Sequence, residues 1–460
     1  MTALQPIWRA AGLAAATLQH LTLTGRDPVL PSSFAVGTAA QATLAAAALA
    51  ATEVGHCRNG VRQQVRIDMR EAALECCGRF SIDGRTPQVW DPIAGLYPCG
   101  LDGWVRLHTN FAHHRDGVLR LLGLPVGPET SRQAVAIALQ RWTPLEFEDA
   151  SAEAGMVVAA LRSFDEWDAH PHSAAVARHP LVRLERIGEG PPLAWPDLPA
   201  DARPLRDLRV LDLTRILAGP VGGRTLAAYG ADVMLVNAPH LPNIEAIADT
   251  SRGKLSARAD LRDAAGRSAL HAVLRDAHVF IQGYRPGALA ALGFGPEQVA
   301  NDRPGIVMVS LSAYGEDGPW AGRRGFDSLV QTVTGFNDAE ARAAGSVQPK
   351  ALPMQVLDMT TGFLIAFGAQ AALWRQQAEG GSWHVRVSLA RTALWLRELG
   401  RIDAGFAAPK ADFSGLMETS ASAYGELIAM RHAAVFSRTP AGWDRPSVGP
   451  GTHELAWPGP

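Results

Sequence analysis

Two rhythms of apolar residues run along this chain. In the second half, short apolar runs at residues 208–213, 232–236, 277–282 and 305–311 are bounded by Gly, Pro or charge and predict buried strands. Between them lie stretches of helical spacing. Gly219-Pro220 opens one helix that Gly230 closes, and residues 264–274 form another. In the first half the rhythm is looser. Ala-rich helical segments give way at Val61-Arg62-Gln63-Gln64-Val65-Arg66-Ile67-Asp68-Met69 to a strand-like alternation, and a helix starts at Arg70.

Strands alternating with helices of this length predict a parallel sheet. The expected class is therefore α/β, a Rossmann-like doubly wound parallel sheet with a smaller α+β domain. Residues 1–85 form a helix-strand-helix region and 86–190 the smaller α+β domain. In the latter, Leu101-Asp102-Gly103-Trp104-Val105 marks a hairpin turn, and helical stretches end near Trp167. Residues 191–205, with Pro191, Pro192, Pro196, Pro199 and Pro204, read as a linker. Residues 206–395 carry the strand-helix alternation, and 396–460 are a C-terminal extension. The order helix, Gly turn, strand, helix occurs twice, around residues 37–75 and 362–395, which suggests an internal repeat. With Gly37 placed over Gly362, Ser33 falls opposite Asp358, so the first copy lacks that carboxylate.

Asp358 stands at the mouth of an apolar helical run, 363–374, that is almost free of charge. A helix start leaves backbone N–H groups unpaired and favours an ionised carboxylate. Such a group can cap the helix or act as a nucleophile. The apolar runs 39–51 and 359–374 are shorter than the roughly 20 residues of a membrane span and read as buried helices.

A net charge of −2 gives no reason to expect nucleic acid or an anionic membrane as partner, so any anion site must be local. The four cysteines, Cys57, Cys76, Cys77 and Cys99, fit neither a zinc motif nor a disulfide scaffold, and no metal is expected. With Arg9 inside the first apolar segment and no basic leader region, a cytoplasmic location is expected. His113, His114, His170 and His172 fit no metal spacing and read as solvated surface histidines. Ala218-Gly219-Pro220-Val221-Gly222-Gly223 departs from the dinucleotide fingerprint, and Asn237 stands where a ribose-binding acid belongs, which disfavours NAD. Arg215, Arg252, Lys254 and Arg285 are cations that can meet phosphate, or simply solvated charges.

Several motifs in order, over about residues 206–395, resemble the family III CoA-transferases, also called the CaiB/BaiF family. They are Leu211-Asp212-Leu213-Thr214-Arg215-Ile216-Leu217-Ala218-Gly219-Pro220, Gly230-Ala231-Asp232-Val233, Arg252-Gly253-Lys254, Tyr284-Arg285-Pro286-Gly287 and Ser312-Ala313-Tyr314-Gly315. Residues 60–170 resemble the family's later portion, so the halves look rearranged. The resemblance implies that Asp358, followed by three residues and Gly362, is the covalent nucleophile. It also implies that Arg215, Leu217, Arg252, Lys254, Tyr284, Arg285 and Tyr314 contact coenzyme A, a co-substrate and not a permanently bound cofactor.

The implied reaction transfers CoA from an acyl-CoA to a small carboxylic acid through an aspartyl anhydride and an aspartyl-CoA thioester, in a homodimer. Backbone N–H groups near Gly219 or Gly362 are the expected oxyanion donors. The sequence departs from the family at Asn237, Gly283 and Ala291. Gly325-Phe326-Asp327 lacks the histidine that the superfamily's racemases place before Asp. Two alternatives remain: an acyl-CoA isomerase, racemase or dehydratase working by α-proton transfer, and a non-catalytic CoA-binding protein.

Overall fold

The computed structural model describes residues 1–459. Its largest sheet has seven strands. Six are mutually parallel and lie side by side in the order Lys254–Arg258, Asp232–Asn237, Arg209–Leu213, Val279–Gln282, Val307–Ser312, Ser382–Ser388. The seventh, Arg183–Gly188, pairs antiparallel with Ser382–Ser388 at the edge. The chain order reverses between Arg209–Leu213 and Val279–Gln282, and in open α/β sheets ligands bind beyond the strand ends at such a switch. Helices Ala218–Ala228 and Ala264–Leu274 lie where the apolar spacing predicts them.

The smaller unit has its own sheet, Gly95–Cys99, Gly103–Leu107 and Val158–Ala160, over a core that includes Ile93, Val105, Val118 and Phe147. Cys99 pairs with Gly103 across the expected turn. The boundary at 190 is corrected, because Arg183–Gly188 belongs to the large sheet. The C-terminal extension also returns to the N-terminal half: Ala434–Phe436 pairs with Val65–Asp68, and Gly425–Met430 with Phe80–Ile82.

At the centre, two 24-residue helices, Val36–Asn59 and Val356–Glu379, pack side by side. Both end in a glycine with positive φ, Gly60 at 71° and Gly380 at 69°, which lets the chain leave the last turn without a Cβ clash. The second helix alone is long and apolar enough to cross a bilayer, but its apolar window is wholly buried in protein. One side rests on Val307–Ser312, Ser382–Ser388 and Ala218–Ala228, the other on Val36–Asn59. Close approach to Ala218–Ala228 depends on paired glycines. A Cβ on Gly362 would sit 2.7 Å from the Ala218 carbonyl oxygen, and one on Gly222 would sit 2.6 Å from Ile365 Cγ2.

The backbone at the starts of the two long helices gives a different register from the glycine alignment. Both helices begin after residues of near-identical backbone, Ala35 (φ −77°, ψ 56°) and Gln355 (φ −77°, ψ 63°), so Thr38, not Ser33, holds the place of Asp358. Ser33 lies ahead of its helix and donates through its hydroxyl (2.7 Å) and its backbone N–H (2.9 Å) to Glu340. Aligning glycines misplaced it, because Gly37 sits in the first turn whereas Gly362 sits a turn further in.

Candidate active site

Asp358 is the third residue of its helix, and its side chain forms part of the wall of a cavity of about 680 Å³. Its backbone N–H donates to Asp327 Oδ2 at 2.9 Å. Asp327 is fully buried. It also takes hydrogen bonds from the Leu357 N–H and the Gln331 side-chain amide. The start of helix Val36–Asn59 has a similar device, since the N–H groups of Gly37 and Thr38 donate to Asp27 at 3.1 and 2.9 Å.

Two carboxyls in one dry place cannot both ionise at ordinary cost. Burial pushes Asp327 up to about 6, against the pull of its N–H donors and the Arg106 guanidinium. Asp358 is pushed well above the usual carboxylate range by burial and by the charge of Asp327. Asp327 has three hydrogen-bond donors and a nearby cation, so it is the better anion of the pair and Asp358 holds the shared proton. The helix start favours ionisation at Asp358, but burial outweighs it.

The smaller unit contributes to the same wall. Arg106, in strand Gly103–Leu107, is buried, lies over Trp90 at 5.3 Å and interacts electrostatically with Asp327. His108 stacks on Phe326 at 3.8 Å between ring centroids, with the planes 10° apart. Burial, with His114 and Arg106 nearby, pulls His108 down to about 3, so its ring is neutral. Asp327, Arg106 and His108 were not anticipated. Asp327 was legible only as the end of Gly325-Phe326-Asp327, and the other two reach Asp358 from more than 200 residues away.

A second cavity, about 350 Å³, opens beyond the strand ends at the switch point, where Arg215, Tyr284, Arg285, Arg323 and Arg324 line it. It shares Ile216 and Phe326 with the Asp358 cavity. Ile216 has φ 75°, a left-handed conformation that a β-branched residue adopts only under constraint.

The expected coenzyme contacts therefore divide. Arg215, Tyr284 and Arg285 line the cationic cavity and Leu217 the Asp358 cavity. Arg252 and Lys254 do neither. Lys254 is fully buried and donates to Asp212 at 2.9 Å and to the Pro220 carbonyl at 2.8 Å. Arg252 pairs with Asp249 and Glu418 and lies 3.8 Å over Trp443. Both neutralise buried carboxylates, which leaves no free charge for a phosphate.

Tyr314 is buried against Trp320 and His172, outside both of these cavities. His114 and His172 are buried, contrary to the surface reading. The His172 ring accepts from the Trp320 N–H and meets the Tyr314 carbonyl at 2.8 Å. Gly362 lies inside its helix at the Ala218 contact, and Gly219 packs on Thr214, so neither lines the Asp358 cavity as an oxyanion donor.

The sequence model of CoA-transferase family III matches residues 205–425. An acyl-CoA transferase of Gibberella moniliformis is 30% identical over 366 residues, 71% of this chain and 64% of the relative. The acetyl-coenzyme A transferase nodX of Hypoxylon pulicicidum is 29% identical over 316 residues, 64% of this chain and 53% of the relative. A solved CAIB/BAIF family protein from Brucella suis is 26% identical, with a TM-score of 0.39, over 49% of this chain and 65% of that one. The chain thus spans less than two thirds of the length of these relatives. Residues 205–425, carried on the sheet and helices described above, are thus similar to CoA-transferase family III.

Proposed function

We propose that the protein transfers CoA from an acyl-CoA to a carboxylic acid, with Asp358 as nucleophile. One observation carries this reading: the Asp358 carboxyl borders a cavity that shares two wall residues with a cation-lined cavity at the strand ends. Arg215, Arg285 and Arg324 suit the phosphates of the coenzyme, because guanidinium groups pair with phosphate oxygens in bidentate fashion. The thioester then lies in the adjoining cavity beside Asp358.

The ionised Asp358 oxygen attacks the thioester carbonyl, the C–S bond breaks, and CoA leaves as thiolate from a mixed anhydride. The thiolate attacks the aspartyl carbonyl, releasing the donor acid and leaving an aspartyl-CoA thioester. An incoming carboxylate reverses both steps with the new acyl group. Aspartate serves where serine would not, because an anhydride stays activated toward thiolate.

Incubating the full chain with acyl-CoA and hydroxylamine is expected to convert Asp358 to a hydroxamate, detected by mass spectrometry and absent in Asp358→Asn. Acyl-CoA turnover with no modification at residue 358 would refute the covalent route.

A second reading, α-proton exchange, rests on His108, whose ring borders the same cavity. It predicts solvent deuterium at the acyl α-carbon without any acceptor acid. A ring held near 3 is a weak base for that task.

A further inference from the structure

The charge around Asp358 bears on which acyl groups fit, an inference that rests on the transferase reading. Among the described residues, the acidic side chains lining the Asp358 cavity are Asp91, Glu245 and Asp358. No arginine or lysine lines it. Two cations of the smaller unit are committed elsewhere: Arg115 pairs with Asp91 at 3.6 Å and Asp116 at 3.0 Å, and Arg106 serves Asp327. The ring of His108 is neutral. The remaining wall mixes apolar groups, among them Phe80, Ile244, Met354 and Met359, with the uncharged amides of Gln88, Asn110, Asn243 and Gln355. Arg215, Arg285 and Arg324 lie across the Ile216 and Phe326 wall, in the other cavity.

We propose that the acyl group handled at Asp358 is an uncharged, mainly apolar monocarboxylic chain, and that dicarboxylic acyl groups are rejected. A carboxylate at the far end of an acyl chain gives up water on entry and meets no unpaired cation, while Glu245 repels it. An alkyl chain of the same length loses nothing polar and buries its surface against sulfur and aromatic groups. Rejection here comes from unpaired charge more than from size.

Hexanoyl-CoA and adipoyl-CoA have equal chain length and differ only in the terminal group. In the intact chain, hydroxylamine-trapped acylation of Asp358 is expected to run about tenfold or more faster with hexanoyl-CoA. Glu245 is exposed at the cavity, and Glu245→Lys is expected to narrow that ratio at least about threefold by speeding adipoyl transfer. Equal or faster labelling by adipoyl-CoA overturns the acyl-class assignment and leaves the transferase reading standing. An unchanged ratio in a folded Glu245→Lys protein overturns the electrostatic cause. Labelling by neither ester overturns the transferase reading itself, and this inference with it.

Discussion

A buried carboxyl facing a second carboxylate keeps its proton at pH values where an exposed one has lost it, and Asp358 is in that position. Because the attacking form is the anion, the labelling rate is expected to rise with pH, with a midpoint above the usual carboxylate range. Asp327→Asn keeps an oxygen to accept the Asp358 N–H but removes the opposing charge. It should move that midpoint down by about one pH unit, read from the pH profile of hydroxamate formation.

Stability carries the opposite sign. A carboxyl whose folded pKa is raised contributes fully below its unfolded value near 4, and the contribution fades as pH rises through the folded value. Asp358→Asn should therefore melt about 1–3 °C higher at neutral pH while losing transfer. Asp358 was legible in the sequence because it is a lone charge in an apolar stretch. Asp327 and His108 were not, because their importance comes from neighbours that only the fold supplies.

The Asp-x-x-x-Gly spacing acquires a mechanical meaning at the level of elements. One turn past Asp358, the helix must lie against the Ala218 carbonyl, and only glycine leaves room for it. Gly362→Ala is expected to cost about 1–3 kcal/mol by denaturant unfolding and to slow labelling, since the turn bearing Asp358 shifts with the helix. The strands at 209–213, 232–237, 279–282 and 307–312 were legible from their apolar runs. Lys254–Arg258 was missed because two of its polar residues, Lys254 and Ser256, are buried there by partners distant in sequence. The antiparallel edge strand Arg183–Gly188 was missed because it is only half-buried and alternates weakly.

Across the whole molecule, buried charge ties three parts of the chain together. Glu75 from the N-terminal half, Arg224 from the sheet region and His432 from the C-terminal extension form one contact group. Burial pushes Glu75 up, but His432, Arg224 and the Ala433 N–H outweigh it and hold the carboxyl at about 2. Stability from a depressed carboxylate is present above its unfolded value near 4.3 and is lost as pH falls toward 2. Acid is therefore expected to release the C-terminal extension, seen as faster proteolysis after residue 431 between about pH 4 and pH 2.

Lys254 and Arg285 should separate just as sharply. Lys254→Ala leaves Asp212 buried and unpaired, at a cost of about 3–5 kcal/mol. Arg285→Ala should leave the melting temperature unchanged and weaken CoA binding about tenfold by calorimetry.

The pairing of Val36–Asn59 with Val356–Glu379 also has a history in time, because one partner leaves the ribosome about 300 residues before the other. At ordinary translation speeds, the alanine-rich first helix waits roughly 15 to 60 seconds for its mate. During that wait its greasy surface is open to any passing chain, so biogenesis of this protein should lean on chaperones that shield nascent segments.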